Sequence, residues 1–235
     1  MIENSLNYLR NGDDWVKTLL IGGVLGLLGV LIVPTFIVYG YLMRVLRATM
    51  RGEERVPEFD DWGDMTVDGL KAFVITLVYG IVPAILGTVF IGFGVLTLFT
   101  GGSTDSGILA GLGTAGVLFG VLLTLVLSLV AAYFIPAALA NYGETGRIGS
   151  GFAFGELRPV LTSTKYLTAW AYAIAIAIGA SVLVGIVSIT GVGAIVAPFV
   201  SFYVGVAAAY IFGTTWGELH PVQLRDDAPG QQPAV

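Results

Sequence analysis

The chain has 235 residues, 56% of them hydrophobic and 11% charged, with a mean hydropathy of +0.87 and a formal net charge of −5. A soluble domain carries about 25% charged residues, so this chain lacks the polar surface to cover a water-exposed globule and reads as an integral membrane protein. Having no cysteine, it excludes disulfides, a thiolate nucleophile and Cys-ligated metals, and the absence of a sustained basic patch argues against a nucleic-acid partner.

The N-terminus, MIENSLNYLRNGDD, carries Glu3, Asp13 and Asp14 and lacks the basic start of a cleavable signal. Ile2, Leu6 and Leu9 recur at i, i+4, i+7, which predicts a short helix lying on the membrane surface. Five apolar segments follow, at about 16–43, 69–99, 108–141, 166–190 and 193–216, each with at least the roughly 20 residues that a helix needs to cross hydrocarbon. They are expected as helices, because open strands leave backbone groups unsatisfied in lipid and the runs show no two-residue alternation. The first is expected as one crossing, with Asp13 or Asp14 as its N-cap and Trp15 as an interface anchor. Pro34, Pro83, Pro136 and Pro198 are expected to mark kinks. The short turn around Thr190 to Gly193 makes the last two spans antiparallel neighbours. The expected fold is all-α and polytopic, a single helical membrane domain over 1–222 with a flexible tail over 223–235.

A motif recurs at the exits of alternate spans. Gly52-Glu53-Glu54-Arg55-Val56-Pro57 follows the first, Gly155-Glu156-Leu157-Arg158-Pro159 follows the third, and Gly217-Glu218-Leu219-His220-Pro221 follows the fifth. Pro34 to Pro57, Pro136 to Pro159 and Pro198 to Pro221 are each 23 residues apart. An internal helix-pair repeat and a coincidence among common membrane residues both account for this. Under the repeat, spans one, three and five run in one direction and all three motifs emerge on one face. Glycine in each copy is expected to end its helix, and the proline to keep it from resuming. At least one of Glu53, Glu156 and Glu218 is then expected to pair with a basic residue of another segment.

Lysine and arginine set the orientation. Nine lie in the segments on the motif face, from Arg44 to Arg225, against two, Arg10 and Lys17, in the N-terminal segment. The positive-inside rule makes the motif face cytoplasmic, with the N-terminus outside and the C-terminus inside. A re-entrant first run would instead keep the N-terminus inside.

Residues 39–73, YGYLMRVLRATMRGEERVPEFDDWGDMTVDGLKAF, combine Gly-Tyr-x-x-Arg-x-x-Arg, Gly-Glu-x-x-x-Pro-Glu-Phe-Asp-Asp-Trp and Asp-Gly-Leu-Lys. This stretch, with Asp13-Asp14-Trp15 ahead of it, resembles the domain-of-unknown-function 4013 family of small multi-pass membrane proteins, found largely in archaea. The resemblance implies a helical membrane fold and an archaeal source, and it brings no activity, cofactor or catalytic residue.

Several features invite chemistry. The acidic run Glu53, Glu54, Glu58, Asp60, Asp61, Asp64 and Asp68 suggests a divalent cation, but its spacing is not that of an EF-hand. It reads better as a solvated interfacial loop, with Phe59 and Trp62 dipping into headgroups and Asp64 capping the next helix. Arg44, Arg47 and Arg51 recur at i, i+3, i+7, a basic stripe for anionic headgroups or an ordinary cytoplasmic anchor. His220, the one histidine, reads as a polar rim residue. Beyond Lys17 and Lys71, each within two residues of a span's start, the spans contain no Asp, Glu, Lys, Arg or His, which ion-coupled transporters and intramembrane hydrolases generally need. Gly22/Gly26, Gly107/Gly111, Gly116/Gly120 and the stripe Ala169, Ala173, Ala177 are spaced for close helix packing. No catalytic constellation, cofactor site or metal site is expected. The reading is a structural scaffold that meets lipids or a protein partner through Arg44, Arg47, Arg51, Glu53, Glu156, Arg158, Glu218 and His220. The alternative is a passive transporter or channel for a small solute. A homo-oligomer is open but has no support in the residues.

Overall fold

The structure is a computed structural model that describes residues 1–12, 14–189 and 191–220. The expected tail, with Arg225 and Pro221, lies outside the described residues. The described residues form eight α-helices: α1 Ile2–Tyr8, α2 Trp15–Leu27, α3 Val33–Met50, α4 Trp62–Ser103, α5 Gly107–Thr145, α6 Phe154–Leu161, α7 Thr164–Ser188 and α8 Gly193–Leu219. The protein is all-α and polytopic. Four helices, α4, α5, α7 and α8, are each long and apolar enough to cross a membrane.

The first apolar run is not the expected continuous crossing over 16–43. It breaks at a single 3-10 turn, Leu28–Leu31, followed by Ile32 at φ 62°. Pro34 stands in the first turn of α3, where its missing N–H is one of the orphans of a helix start and costs nothing. It therefore starts a helix and does not kink one. The turn satisfies its own backbone: the Ile32 N–H and the Thr35 hydroxyl both donate to the Gly29 carbonyl at 3.1 Å, and the Phe36 N–H donates to the Ile32 carbonyl at 3.3 Å. Irregular backbone at membrane depth survives only when its polar groups are so occupied.

The two halves run in opposite directions. Gly22 of α2 faces Phe202 and Gly26 faces Pro198, whereas Leu42 of α3 faces Gly205 and Met50 faces Gly217. Thus α2 is antiparallel to α8 and α3 is parallel to it, so α2 and α3 form a re-entrant hairpin. Both its ends lie at one end of the molecule. This corrects the placement of the N-terminus opposite the motif face. The segment Ile2–Asn11 turns 99° from Trp15–Leu31 and lies beside the 55–57 stretch. The Tyr8 hydroxyl donates to the Arg55 carbonyl at 3.2 Å, Tyr203 bonds the Leu6 carbonyl, and Gly12 packs on Val56.

Helices α4 and α5 make a long antiparallel pair. Gly87 faces Thr124, Gly94 faces Val117 and Gly101 faces Ala110. Between 84 and 130 every buried residue is a glycine of this seam, namely Gly87, Gly94, Gly101, Gly113 and Gly120. The seven-residue spacing on α4 keeps one stripe against its partner, and the missing side chains let the backbones touch. Of the spaced pairs expected to pack, Gly22/Gly26 meets α8 and Gly116/Gly120 meets α4, while Gly107/Gly111 faces open space. The outer surface is apolar, with Phe93, Phe99 and Ile108 exposed. Pro83, Pro136 and Pro198 lie inside α4, α5 and α8.

The compact core gathers at the other end, where Tyr41, Met65, Ile75, Tyr142, Leu157, Tyr166, Val206 and Trp216 are buried together. Helices α3, α5 and α8 all run toward this end, as the repeat requires, and their last turns touch. Gly217 meets Met50, and the Trp216 indole donates to Glu144 at 2.6 Å. The expected helix-stop role of the motif glycines is corrected in two of three copies. Gly52, at φ 73°, ends α3, but Gly155 lies inside α6 and Gly217 inside α8. Gly217 is needed for space, because a side chain there would run into the Met50 carbonyl.

Candidate functional site

The polar face is built from the ends of α3, α5 and α8, the starts of α4 and α7, and the strap 51–61. The strap folds back along α3. Tyr41 donates its hydroxyl to the Pro57 carbonyl at 3.0 Å, Val56 is buried, and the Phe59 ring stacks on Tyr41 with centroids 4.1 Å apart. Phe59 therefore points into the protein and not into headgroups as expected, because a π-stack with a buried tyrosine is open to it. Trp62 stays 45% exposed. Asp64 is not the cap of α4. Asp61 holds that position at φ 44°, and its carbonyl receives the Met65 N–H at 3.0 Å.

Each residue of the arginine stripe is claimed by a carboxylate. Arg44 pairs with Asp60 and reaches Asp61 at 3.9 Å. Arg51 donates to Glu53 at 2.6 Å. Arg47, on the inner side of the stripe, joins three helices. It pairs with Asp68 of α4 through both terminal nitrogens and donates its Nε to the Gly143 carbonyl of α5 at 3.1 Å. The Tyr142 hydroxyl donates to the same Asp68 at 2.8 Å. Asp68 stands just before the apolar stretch of α4 begins at Gly69. Burial opposes ionisation of its carboxyl, but the Arg47 and Tyr142 hydrogen bonds outweigh it and hold the group below the usual carboxylate range.

The other expected site residues are placed less tightly. Glu218 of α8 accepts from Lys165 of α7 at 3.2 Å, the one cross-segment ion pair of the three motif glutamates among the described residues. Glu53 pairs inside its own segment, and Glu156 accepts from the Asn141 amide at 2.8 Å, so the three do not form a ring of ion pairs. Arg158 is exposed. His220 stacks on Trp216 at 4.6 Å, and its Nδ1 is buried without a partner among the described residues. Among the described residues no three His, Asp or Glu side chains are placed to hold a metal.

Sequence reading passed over Asp68 as one carboxylate in a run, and did not single out Tyr142, Asn141, Glu144 or Tyr8. The available signal for Asp68 was its place one residue before an apolar span, where an unpaired charge is costly. Chemically, this arrangement ties helix ends together by charge-assisted bonds and leaves Glu54, Glu58, Asp64 and Arg158 on the outside.

No curated protein and no solved structure matches the chain. The family described as "Protein of unknown function (DUF4013)" matches residues 27–189, more than half of the chain and including the hairpin turn, the arginine stripe, the strap and the Asp68–Tyr142 pair. The chain belongs to this family.

Proposed function

We propose that the protein is a membrane scaffold whose cytoplasmic face presents the strap and the motif segments to a protein partner or to lipid headgroups. One observation carries the reading. The molecule concentrates its polar organisation at one end, where ion pairs lock the helix ends together, while its membrane-level segments, past Lys17 and Lys71 at that same end, carry no Asp, Glu, Lys, Arg or His to couple to an ion or proton. The orientation rests on charge. All ten Lys and Arg side chains of the described residues, now including Arg10 and Lys17, lie at this end, and the far turns, at 104–106 and at 189 and 191–192, have none. By the positive-inside rule that end is cytoplasmic, with the N-terminus on the same side.

The passive-transporter alternative would rest on the broken α2–α3 hairpin. Its tip, Leu28 to Val33, carries no polar side chain, and Val30 is 92% exposed, which gives a solute nothing to bind.

Photo-crosslinking residues at Glu54 and Arg158, with Val30 and Phe99 as membrane controls, test the reading in native membranes. The scaffold reading predicts discrete adducts at the first two positions and only lipid adducts at the controls, with no solute flux in reconstituted liposomes. Flux without face adducts would reverse the choice.

A further inference from the structure

The face also holds a polar cavity whose asparagine amides no contact described so far uses. It is a recess of about 410 Å3 between α1, the end of α3 and α8. Asn4, Asn7 and Asn11 of the N-terminal segment line it at three- and four-residue spacing, with Glu53 and Glu54 of the strap and Tyr210 of α8 opposite. We propose that this recess binds a glycosyl group, either of a free sugar or of a glycolipid headgroup.

The lining decides the class. It holds two carboxylates and no Lys, Arg or His, so it repels phosphates and other anions. Glu53 is already neutralised by Arg51 at 2.6 Å, which leaves Glu54 as the single unpaired charge and gives a polyamine too little to meet. No three acidic or histidine side chains are placed to hold a metal among the described residues. What remains is hydrogen-bonding capacity of mixed sign. The three asparagine amides bond to no described residue, and each offers two donors and an acceptor carbonyl. A sugar hydroxyl is likewise both donor and acceptor, and a free carboxylate takes a neighbouring pair of hydroxyls. The half-buried Tyr210 ring, held against the buried Tyr8 ring with centroids 4.9 Å apart, gives the recess an aromatic edge for the C–H face of a pyranose.

Position and size agree. The segment carrying the asparagines lies across the foot of α2, at 99° to it, on the same end as the arginines. That is headgroup depth. The volume falls within the roughly 300–1,000 Å3 of small-molecule sites.

The site is separable from the scaffold reading, since it needs only α1 on the polar face and no partner. The test uses the full chain in nanodiscs. Saturation-transfer NMR with maltose, and hydrogen exchange of α1 in nanodiscs with or without a monoglycosyl diacylglycerol, are run beside spermidine and inorganic phosphate. Asn7→Leu and Glu54→Gln are exposed substitutions that leave the fold intact, which thermal unfolding verifies, and Arg158→Gln is the distant control. Transfer to maltose assigns a free sugar, and protection of α1 by the glycolipid alone assigns a headgroup. In either case Asn7→Leu should weaken the effect at least tenfold and Arg158→Gln should not change it. Binding of spermidine or phosphate in place of sugar, no response to either glycosyl probe, or a response that Asn7→Leu leaves intact would overturn the proposal.

Discussion

Replacing Asp68 by Asn removes one charge from the junction of α3, α4 and α5 and little volume. The Arg47 and Asp68 side chains are 22% and 24% exposed. The pair thus lies between an exposed ion pair, of about 0–1 kcal/mol, and a buried one whose rupture costs about 3–5 kcal/mol. An asparagine carbonyl still accepts from Tyr142, so the loss is that of the guanidinium–carboxylate bonds, about 2 kcal/mol. Asp68→Ala also strands the buried Tyr142 hydroxyl and should cost about 3 kcal/mol. In a cycle with Arg47→Met the coupling energy should be about 1.5–2 kcal/mol, because each single change leaves the other partner half-buried and uncompensated. Unfolding by SDS titration, followed by tryptophan emission, reads these values. The pH dependence has a definite sign. The carboxyl titrates near 3.8 when unfolded and lower when folded, so its contribution is complete above that value and is lost as pH falls through the folded pKa. The gap between wild type and Asp68→Asn should accordingly be constant near neutrality and close in acid. A loss below about 0.5 kcal/mol, the range of an ordinary surface substitution, with coupling near zero would refute the claim that this cluster fastens the three helices.

Three further substitutions probe the membrane-level fold. Ile32→Gly should stabilise the protein by about 1 kcal/mol, since a non-glycine residue at a strained positive φ costs about 1–3 kcal/mol and Ile32 is 64% exposed. In a continuous helix the same change would cost about 1 kcal/mol, so the sign of the shift in SDS titration separates hairpin from span. Gly69→Val drives a side chain into the Phe36 carbonyl at the α3–α4 crossing and should cost about 3 kcal/mol or more. Gly80→Ala, where nothing lies within 4 Å, should be neutral or slightly stabilising.

The membrane class, the four long helices, the antiparallel α7–α8 pair and the common direction of α3, α5 and α8 were legible, because each follows from apolar length or from turn length. The hairpin was legible only as the re-entrant alternative to the expected crossing. Hydropathy measures apolar length, and a run that folds back is as apolar as one that crosses. The residues that mark it, Gly22, Gly26, Gly29 and Pro34, are each ordinary in a membrane helix. One strain did show: a charged, uncleaved N-terminus had to cross, and Arg10 and Lys17 stood against the other nine basic residues. The hairpin removes that conflict. The arginine stripe was legible as a pattern, but its partners were not, since Asp60 and Asp68 become neighbours of Arg44 and Arg47 only when the strap reverses at Gly52. The motif glycines misled for a related reason. A glycine that ends a helix and one that admits a neighbouring backbone look the same in sequence, and Gly217 is the second kind.

The central claim is that α2 and α3 fold back, so that the N-terminus, the strap and the 147 turn share one face. Single cysteines at Glu3, Glu54, Arg147 and Thr104, all exposed, labelled in sealed vesicles with an impermeant maleimide, test it directly because the chain has no cysteine of its own. The fold predicts that positions 3, 54 and 147 label from one side and 104 from the other. Labelling of position 3 together with 104, and apart from 54, would restore a continuous first span and contradict the hairpin.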